Sequence, residues 1–127
     1  NILNNGSERQ KVEFLPKLCS GEHVGCLGLT EPGAGSDALG SMATTATKNG
    51  DGYLINGSKL YITNGPIADI CVLYAKTNKQ EKSSKGITAF VIETKQPGFK
   101  VAQKLKKIGF RGSQTGELVF EDLFVPR

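Results

Sequence analysis

From Glu22 to its end the chain is cut by turn-forming residues into short β-rich runs, and this punctuation restricts the fold more than any other feature. Short strands spaced by Gly, Asn and Asp belong to a sandwich or barrel, not to a helix bundle. Sixteen glycines in 127 residues agree. The expected strands cover residues 24–30, 41–48, 53–55, 59–63, 70–76, 86–93, 99–105 and 117–125. The expected fold is therefore mainly β, an antiparallel β-barrel or sandwich of about eight strands. Asn49-Gly50-Asp51-Gly52 and Asn56-Gly57 are both of hairpin-turn composition, and Asn64-Gly65-Pro66 breaks the run before it. Residues 70–76 (ICVLYAK) and 86–93 (GITAFVIE) are the most apolar runs and are expected at the sheet centre. Ile70, Val72, Tyr74, Ile87, Ala89, Val91, Val119 and Phe124 form the expected core.

One helical segment precedes the strands. Ser7 with Gln10 three residues later is a capping-box pattern, and Val12, Phe14, Leu15 and Leu18 recur at roughly helical spacing. Pro16 is expected to kink or end this helix, and Gly21 to close it. The length suits one well-filled core. The chain begins at Asn1 and stops at Pro126-Arg127 just after a strand-like run, so both ends are expected to be cuts through a longer polypeptide. The change of character after Glu22 sets a helical segment, residues 1–22, apart from the expected β-domain, residues 23–127.

No apolar run reaches the length of a membrane span. The net charge of +4 comes from lysines scattered through loops, with one cluster at Lys104, Lys106 and Lys107. Such an excess is a solvated surface or an attraction for a phosphate-rich ligand. Nucleic acid is disfavoured, because the basic residues are not interleaved with aromatics. Cys19, Cys26 and Cys71 show neither CxxC nor metal-ligand spacing, and with His23 the single histidine a zinc site is not expected. Cys26 and Cys71 sit in apolar runs and are expected as small core residues.

Two stretches carry chemistry. In Leu27-Gly28-Leu29-Thr30-Glu31-Pro32-Gly33-Ala34-Gly35-Ser36-Asp37 a strand runs into a turn with two glycines and a Ser-Asp pair. Free backbone N–H groups in such a turn make an anion-binding nest, and glycine lets a ligand approach the backbone. The stretch is neither a Walker loop nor a Rossmann fingerprint. A tight turn with glycines for geometry alone fits these residues equally well. In Lys59-Leu60-Tyr61-Ile62-Thr63-Asn64-Gly65, Tyr61 and Thr63 stand two apart on a strand and share a face. An aromatic and a hydroxyl so placed suit one wall of a planar cofactor, although an isolated Tyr is more often a core residue.

TEPGAGSD, then NGSKLYITNG, KGITAFVIE, PGF and KIGFRGSQTGELVFEDLFVP together resemble the acyl-CoA dehydrogenases over nearly the whole chain. ITNGPIADICVLYAKT and LKKIGFRGSQTGELVFED point to the isovaleryl-CoA type. The resemblance implies the middle β-domain of a flavoenzyme, placed between two helical domains, with residues 1–22 the tail of the first, residues 23–127 the β-domain and FAD as cofactor. It implies that Leu27, Leu29, Thr30, Gly35 and Ser36 line the flavin, with Thr30 at the N1/O2 end and the glycine-Ser turn at the pyrophosphate. It implies that Tyr61, Ile62 and Thr63 cover the ring, Thr63 directed at N5. Ser36, Ser84 and Lys85 match residues that contact the CoA arm. The implied reaction is α,β-dehydrogenation of a short or branched-chain acyl-CoA, with hydride passing to N5. Donors placed ahead of time at both ends of the flavin favour its reduced form.

The implied partners are the acyl-CoA and an electron-transfer flavoprotein, in a homotetramer. The implied compartment is the mitochondrial matrix in a eukaryote or the cytoplasm in a bacterium. Tyr61 stands where the family often has Trp, and Thr30 where the isovaleryl type often has Ser, which keeps the hydroxyl. The family's catalytic glutamate lies in the C-terminal helical domain, so no catalytic residue is expected here. Glu31 is expected to set the turn or accept hydrogen bonds. The rival readings are an acyl-CoA oxidase domain, which passes its electrons to oxygen, and a non-catalytic basic β-barrel binding module.

Overall fold

A computed structural model describes residues 1–38, 40–81 and 84–127. Two helices, α1 (Ile2–Asn5) and α2 (Glu8–Ser20), precede seven strands. These are β1 (Gly25–Gly28), β2 (Thr45–Asn49), β3 (Gly52–Thr63), β4 (Ile70–Lys76), β5 (Ile87–Glu93), β6 (Phe99–Lys104) and β7 (Thr115–Pro126). The expected capping box is formed: the Gln10 amide donates to Ser7 Oγ and the Ser7 amide donates back to Gln10 Oε1. Gly21 closes α2 in the left-handed conformation at φ 81°. Pro16, expected to kink or end the helix, sits inside it. The carbonyl it leaves without a donor belongs to Val12, which is 76% exposed, so water can serve that group.

The strands form one curled, half-barrel sheet in the order β1-β4-β2-β3-β7-β6, with β5 on the other side of β4. The sheet is mixed: β1 runs parallel to β4, and Thr45 of β2 pairs in parallel with Lys76. The remaining pairs are antiparallel. The β2–β3 hairpin turns at Gly50-Asp51, with Asn49 opposite Gly52 and positive φ at Gly50 alone, the pattern of a type II′ turn.

Three expectations change. Asn56-Gly57 is a bulge inside one long strand, so residues 53–55 and 59–63 are both β3 and the described residues hold seven strands. The Asn56 amide side chain occupies the facing Asp122, giving to its carboxylate and accepting from its backbone N–H. At Gly57 (φ 146°) a side chain would meet Thr44 Oγ1 at 2.6 Å, so the glycine serves a close approach of backbone rather than a reversal. Second, β5 lies at an edge, and among the expected central pair only β4 is flanked on both sides.

Third, the expected core lies largely on the wrong face. The buried cluster is built from Ile55, Cys71, Leu73, Ala75, Phe90, Ile92, Leu118, Phe120, Leu123 and Val125. Tyr53 meets Phe90, and Phe99 meets Phe120, edge-to-face at 5.3 and 5.5 Å. Val72, Tyr74, Val91 and Val119 alternate onto the other face and are only partly buried, Ala89 is exposed, and Phe124 is 42% exposed. β4 is apolar on both faces because α1 covers the second: Ile2 is 7% exposed, beside Val72, Ala89 and Val91, and Tyr74 Oη bonds Asn1 Oδ1 at 2.7 Å. Alternation fixes a face only when one side is polar.

Candidate functional site

Expected strand 24–30 ends early, at Gly28, because the next two carbonyls are taken out of the ladder. Leu29 O accepts from Lys59 Nζ at 3.1 Å, and Thr30 O accepts from the Leu60 amide at 2.9 Å. Glu31 and Ala34 then close a tight turn through reciprocal backbone bonds at 3.0 and 3.1 Å. Expected strand 41–48 starts late for a related reason. The Ala43 and Thr44 amides donate to the Glu31 carboxylate, at 2.6 and 2.9 Å, instead of to a neighbouring strand.

Glu31 and Lys59 are the two charged groups buried under this loop, with Lys59 fully buried and Nζ 2.8 Å from Glu31 Oε1. Burial pushes the Glu31 carboxyl upward, but the Lys59 ammonium, Thr44 and the two amides outweigh it and hold the group below its ordinary value. Burial draws Lys59 below the ordinary lysine value, against the pull of Glu31. The pair ties both ends of the loop to β3. Glu31 was legible as an acceptor. Lys59 was missed, its only signal being a cation at a core-facing position of a strand.

The two motif stretches are thus brought together. Leu27 (44% exposed) and Thr63 line one cavity of about 470 Å³ between the sheet and α1–α2. Tyr61, in a second bulge of β3 between Lys59 and Ile62, takes φ 60° and is 65% exposed. It is not the core residue an isolated tyrosine usually is. Ile62 points into the core at 3% exposure, so its share in any exposed site is confined to its backbone. Leu29 and Thr30 are partly buried, and Gly35 and Ser36 are exposed. A Cβ at Gly33 or Gly35 would meet nothing within 4 Å, which leaves the backbone of this turn open to a ligand. Among the described residues, the hydroxyls of Thr30, Ser36 and Thr63 take no part in the side-chain hydrogen bonds of the protein. Asp37 is spent locally on the Ser41 hydroxyl.

Ser84 and Lys85 lie apart from this face, in the 3-10 turn Ser84–Gly86 that leads into β5. Since Ile87 pairs with Lys76 and the Lys76 amide bonds Thr44 O, the turn sits at the end of β4 where the loop returns. The basic cluster lines a separate cavity of about 630 Å³, where Lys104, Lys106 and Lys107 are joined by Arg111, Ser113 and Gln114. Ile108 and Phe110 stand beside it almost wholly exposed. No helix among the described residues is long and apolar enough to cross a membrane.

The geometry has counterparts. Residues 26–123 match the model of the acyl-CoA dehydrogenase middle domain. An isovaleryl-CoA dehydrogenase, mitochondrial, of Oryza sativa subsp. japonica is 56% identical over 125 residues, 98% of this chain and 30% of that protein. A solved butyryl-CoA dehydrogenase from Megasphaera elsdenii superposes with TM-score 0.92 at 50% identity, over 98% of this chain and 32% of the other. A glutaryl-CoA dehydrogenase of Mycobacterium smegmatis, solved in complex with FADH2, superposes with TM-score 0.89 at 40% identity, over 98% and 31%. The chain thus spans about 30% of the length of the relatives it matches.

Proposed function

Because the chain belongs to the acyl-CoA dehydrogenase family through that family's middle domain, we propose that it forms one wall of an FAD site in an acyl-CoA dehydrogenase. The observation that carries the reading is that Lys59 and Leu60 bond the Leu29 and Thr30 carbonyls, so that the open turn glycines, the uncommitted hydroxyls of Thr30, Ser36 and Thr63 and the exposed Tyr61 lie on two adjoining segments. These groups suit a dinucleotide. The Gly33–Ser36 turn offers backbone N–H groups to a pyrophosphate, and Thr30 and Thr63 offer hydroxyl donors to the heteroatoms of a flat ring. Tyr61 and Leu27 supply apolar cover, and Ile62 contributes through its backbone.

FAD supplies the two-electron acceptor for oxidising an acyl thioester. The part played by this chain is to bind and orient. Thr30, on backbone that Lys59 and Leu60 restrain, and Thr63, paired with Thr115 at the end of β3, would hold hydroxyl donors toward the ring of a bound flavin and so favour its reduced form. Ser36 serves both the pyrophosphate and the CoA arm, and Ser84 and Lys85 contact that arm from the far end of β4.

The substrate class is a short or branched-chain acyl-CoA, supported by the isovaleryl- and butyryl-CoA dehydrogenases among its relatives. Electrons leave to an electron-transfer flavoprotein, the enzyme is a homotetramer, and the compartment is mitochondrial in a eukaryote or cytoplasmic in a bacterium. Residues 1–22 belong to a helical neighbour domain, consistent with α2, which buries none of its residues.

Gly35→Asp tests the wall. The new side chain enters open space, so the fold is expected to keep its melting temperature, while a carboxylate in the turn repels the pyrophosphate. Titration with FAD, followed by flavin fluorescence, is expected to show weak binding to the 127-residue chain and at least about tenfold weaker binding to the variant, a loss of about 1.4 kcal/mol. Equal titrations would overturn the placement. The 127-residue chain alone is expected to give no turnover of an acyl-CoA with a dye acceptor.

A further inference from the structure

Cys26 and Cys71 are separated by 45 positions in sequence (71 − 26), yet they are direct partners in the parallel register of β1 and β4. Both thiols are free. Register partners on parallel strands project to the same face, and adjacent strands run about 4.8 Å apart. That separation falls inside the Cα window of about 4.4–6.8 Å that a disulfide spans. Both sulfurs belong to the same packed region: Cys71 is fully buried in the core cluster and Cys26 packs against it. They are unequal. Cys26 is only partly buried and borders the cavity shared by Leu27 and Thr63. Cys71 is sealed off.

We propose that Cys26 and Cys71 are a redox-active pair that closes to an intramolecular disulfide when a small peroxide reaches Cys26. The neighbouring Cys71 thiol draws the Cys26 thiol below its ordinary value against the effect of burial. The Cys71 thiol is pushed far up, first by the neighbouring Cys26 and then by burial. Cys26, which borders the cavity, is the attacking sulfur, and Cys71, sealed in the core, the resolving one. The Cys26 thiolate attacks a peroxide oxygen; an S–O bond forms, the O–O bond breaks, and the leaving oxygen departs as hydroxide or alkoxide. The Cys71 sulfur then displaces hydroxide from the Cys26 sulfenic acid, its proton leaving with that hydroxide as water. In sum two thiols are oxidised and one hydrogen peroxide is reduced to two waters. Closure tethers β1, the strand that carries Leu27, to β4. The inference stands on the strand register and holds whether or not the cavity takes a flavin.

The test is peptide mapping of the full chain after hydrogen peroxide, with free thiols blocked by N-ethylmaleimide before digestion. Trypsin leaves Cys19 and Cys26 on one peptide, so the map is read in the Cys19→Ser protein. The expected product joins the Cys26 and Cys71 peptides, two hydrogens lighter than their sum, and disappears with dithiothreitol. Cys26→Ser in the native background is expected to abolish it. Oxygen added to Cys26 while Cys71 still takes the maleimide would overturn the proposal. So would a linked product that needs Cys19, or two thiols left unoxidised.

Discussion

At the scale of single residues, Lys59 shows how charge sets the loop. Its ammonium is fully buried and has two acceptors, Leu29 O and Glu31 Oε1. Lys59→Met strands a buried carboxylate and is expected to cost about 3–5 kcal/mol in urea unfolding, part of which returns when Glu31→Gln is added. The direction of pH dependence follows from Glu31, whose carboxyl is held low in the folded state. The stability it contributes is complete above the ordinary glutamate value of about 4.3 and is lost as pH falls through the lower folded value. Unfolding midpoints are expected to drop below about pH 4.3, less steeply in Glu31→Gln. An identical slope would show that other carboxylates govern acid unfolding. Tyr61 presents the opposite case, a bulky residue held at φ 60°. Such backbone costs about 1–3 kcal/mol and persists where function needs it. Tyr61→Gly is expected to raise the melting temperature while weakening FAD binding, and a drop in both would remove the argument for strain.

At the scale of elements, the sequence was most readable where one residue type has one use. The Ser7–Gln10 capping box, the Gly21 terminus and the Gly50-Asp51 turn all form as expected. It was least readable where one signal has two uses. Asn-Gly marks a two-residue hairpin or a bulge, and the choice at Asn56-Gly57 depends on Asp122, 66 residues away. Gly57→Ala is therefore expected to destabilise by about 1–3 kcal/mol, from positive φ and from the clash with Thr44, as denaturant midpoints would show. A neutral result would return the position to an ordinary turn. The core face was misjudged because β4 and β5 carry apolar residues on both sides, and only the docking of α1 decides between them. The turn glycines and hydroxyls of the candidate site could be picked out in the sequence because they lie in two short contiguous stretches. The ion pair beneath them was not, because Glu31 and Lys59 meet only through tertiary structure.

For the molecule as a whole, the sheet has a well-anchored half and a lightly anchored one. β3 and β7 pair along twelve-residue strands and bury Ile55, Leu118 and Leu123 completely. β1 contributes four residues, pairs only with β4 among the described strands, and has Gly28 as its one buried position. The entropy of closing a loop rises slowly with its length, so bridging 45 residues from Gly25 to Ile70 costs nearly as much as the longer β3–β7 closure, for far less burial in return. A parallel strand attached on such terms is the natural first unit to detach below global unfolding. Deuterium uptake at Cys26, Leu27 and Gly28 is expected to run well ahead of uptake at Ile55 and Leu118, and matched protection factors would refute that order. If it holds, the strand that would lie along the cofactor is a door already on its hinge. A bound ligand would then announce itself as slowed exchange in four residues, without any change of shape elsewhere.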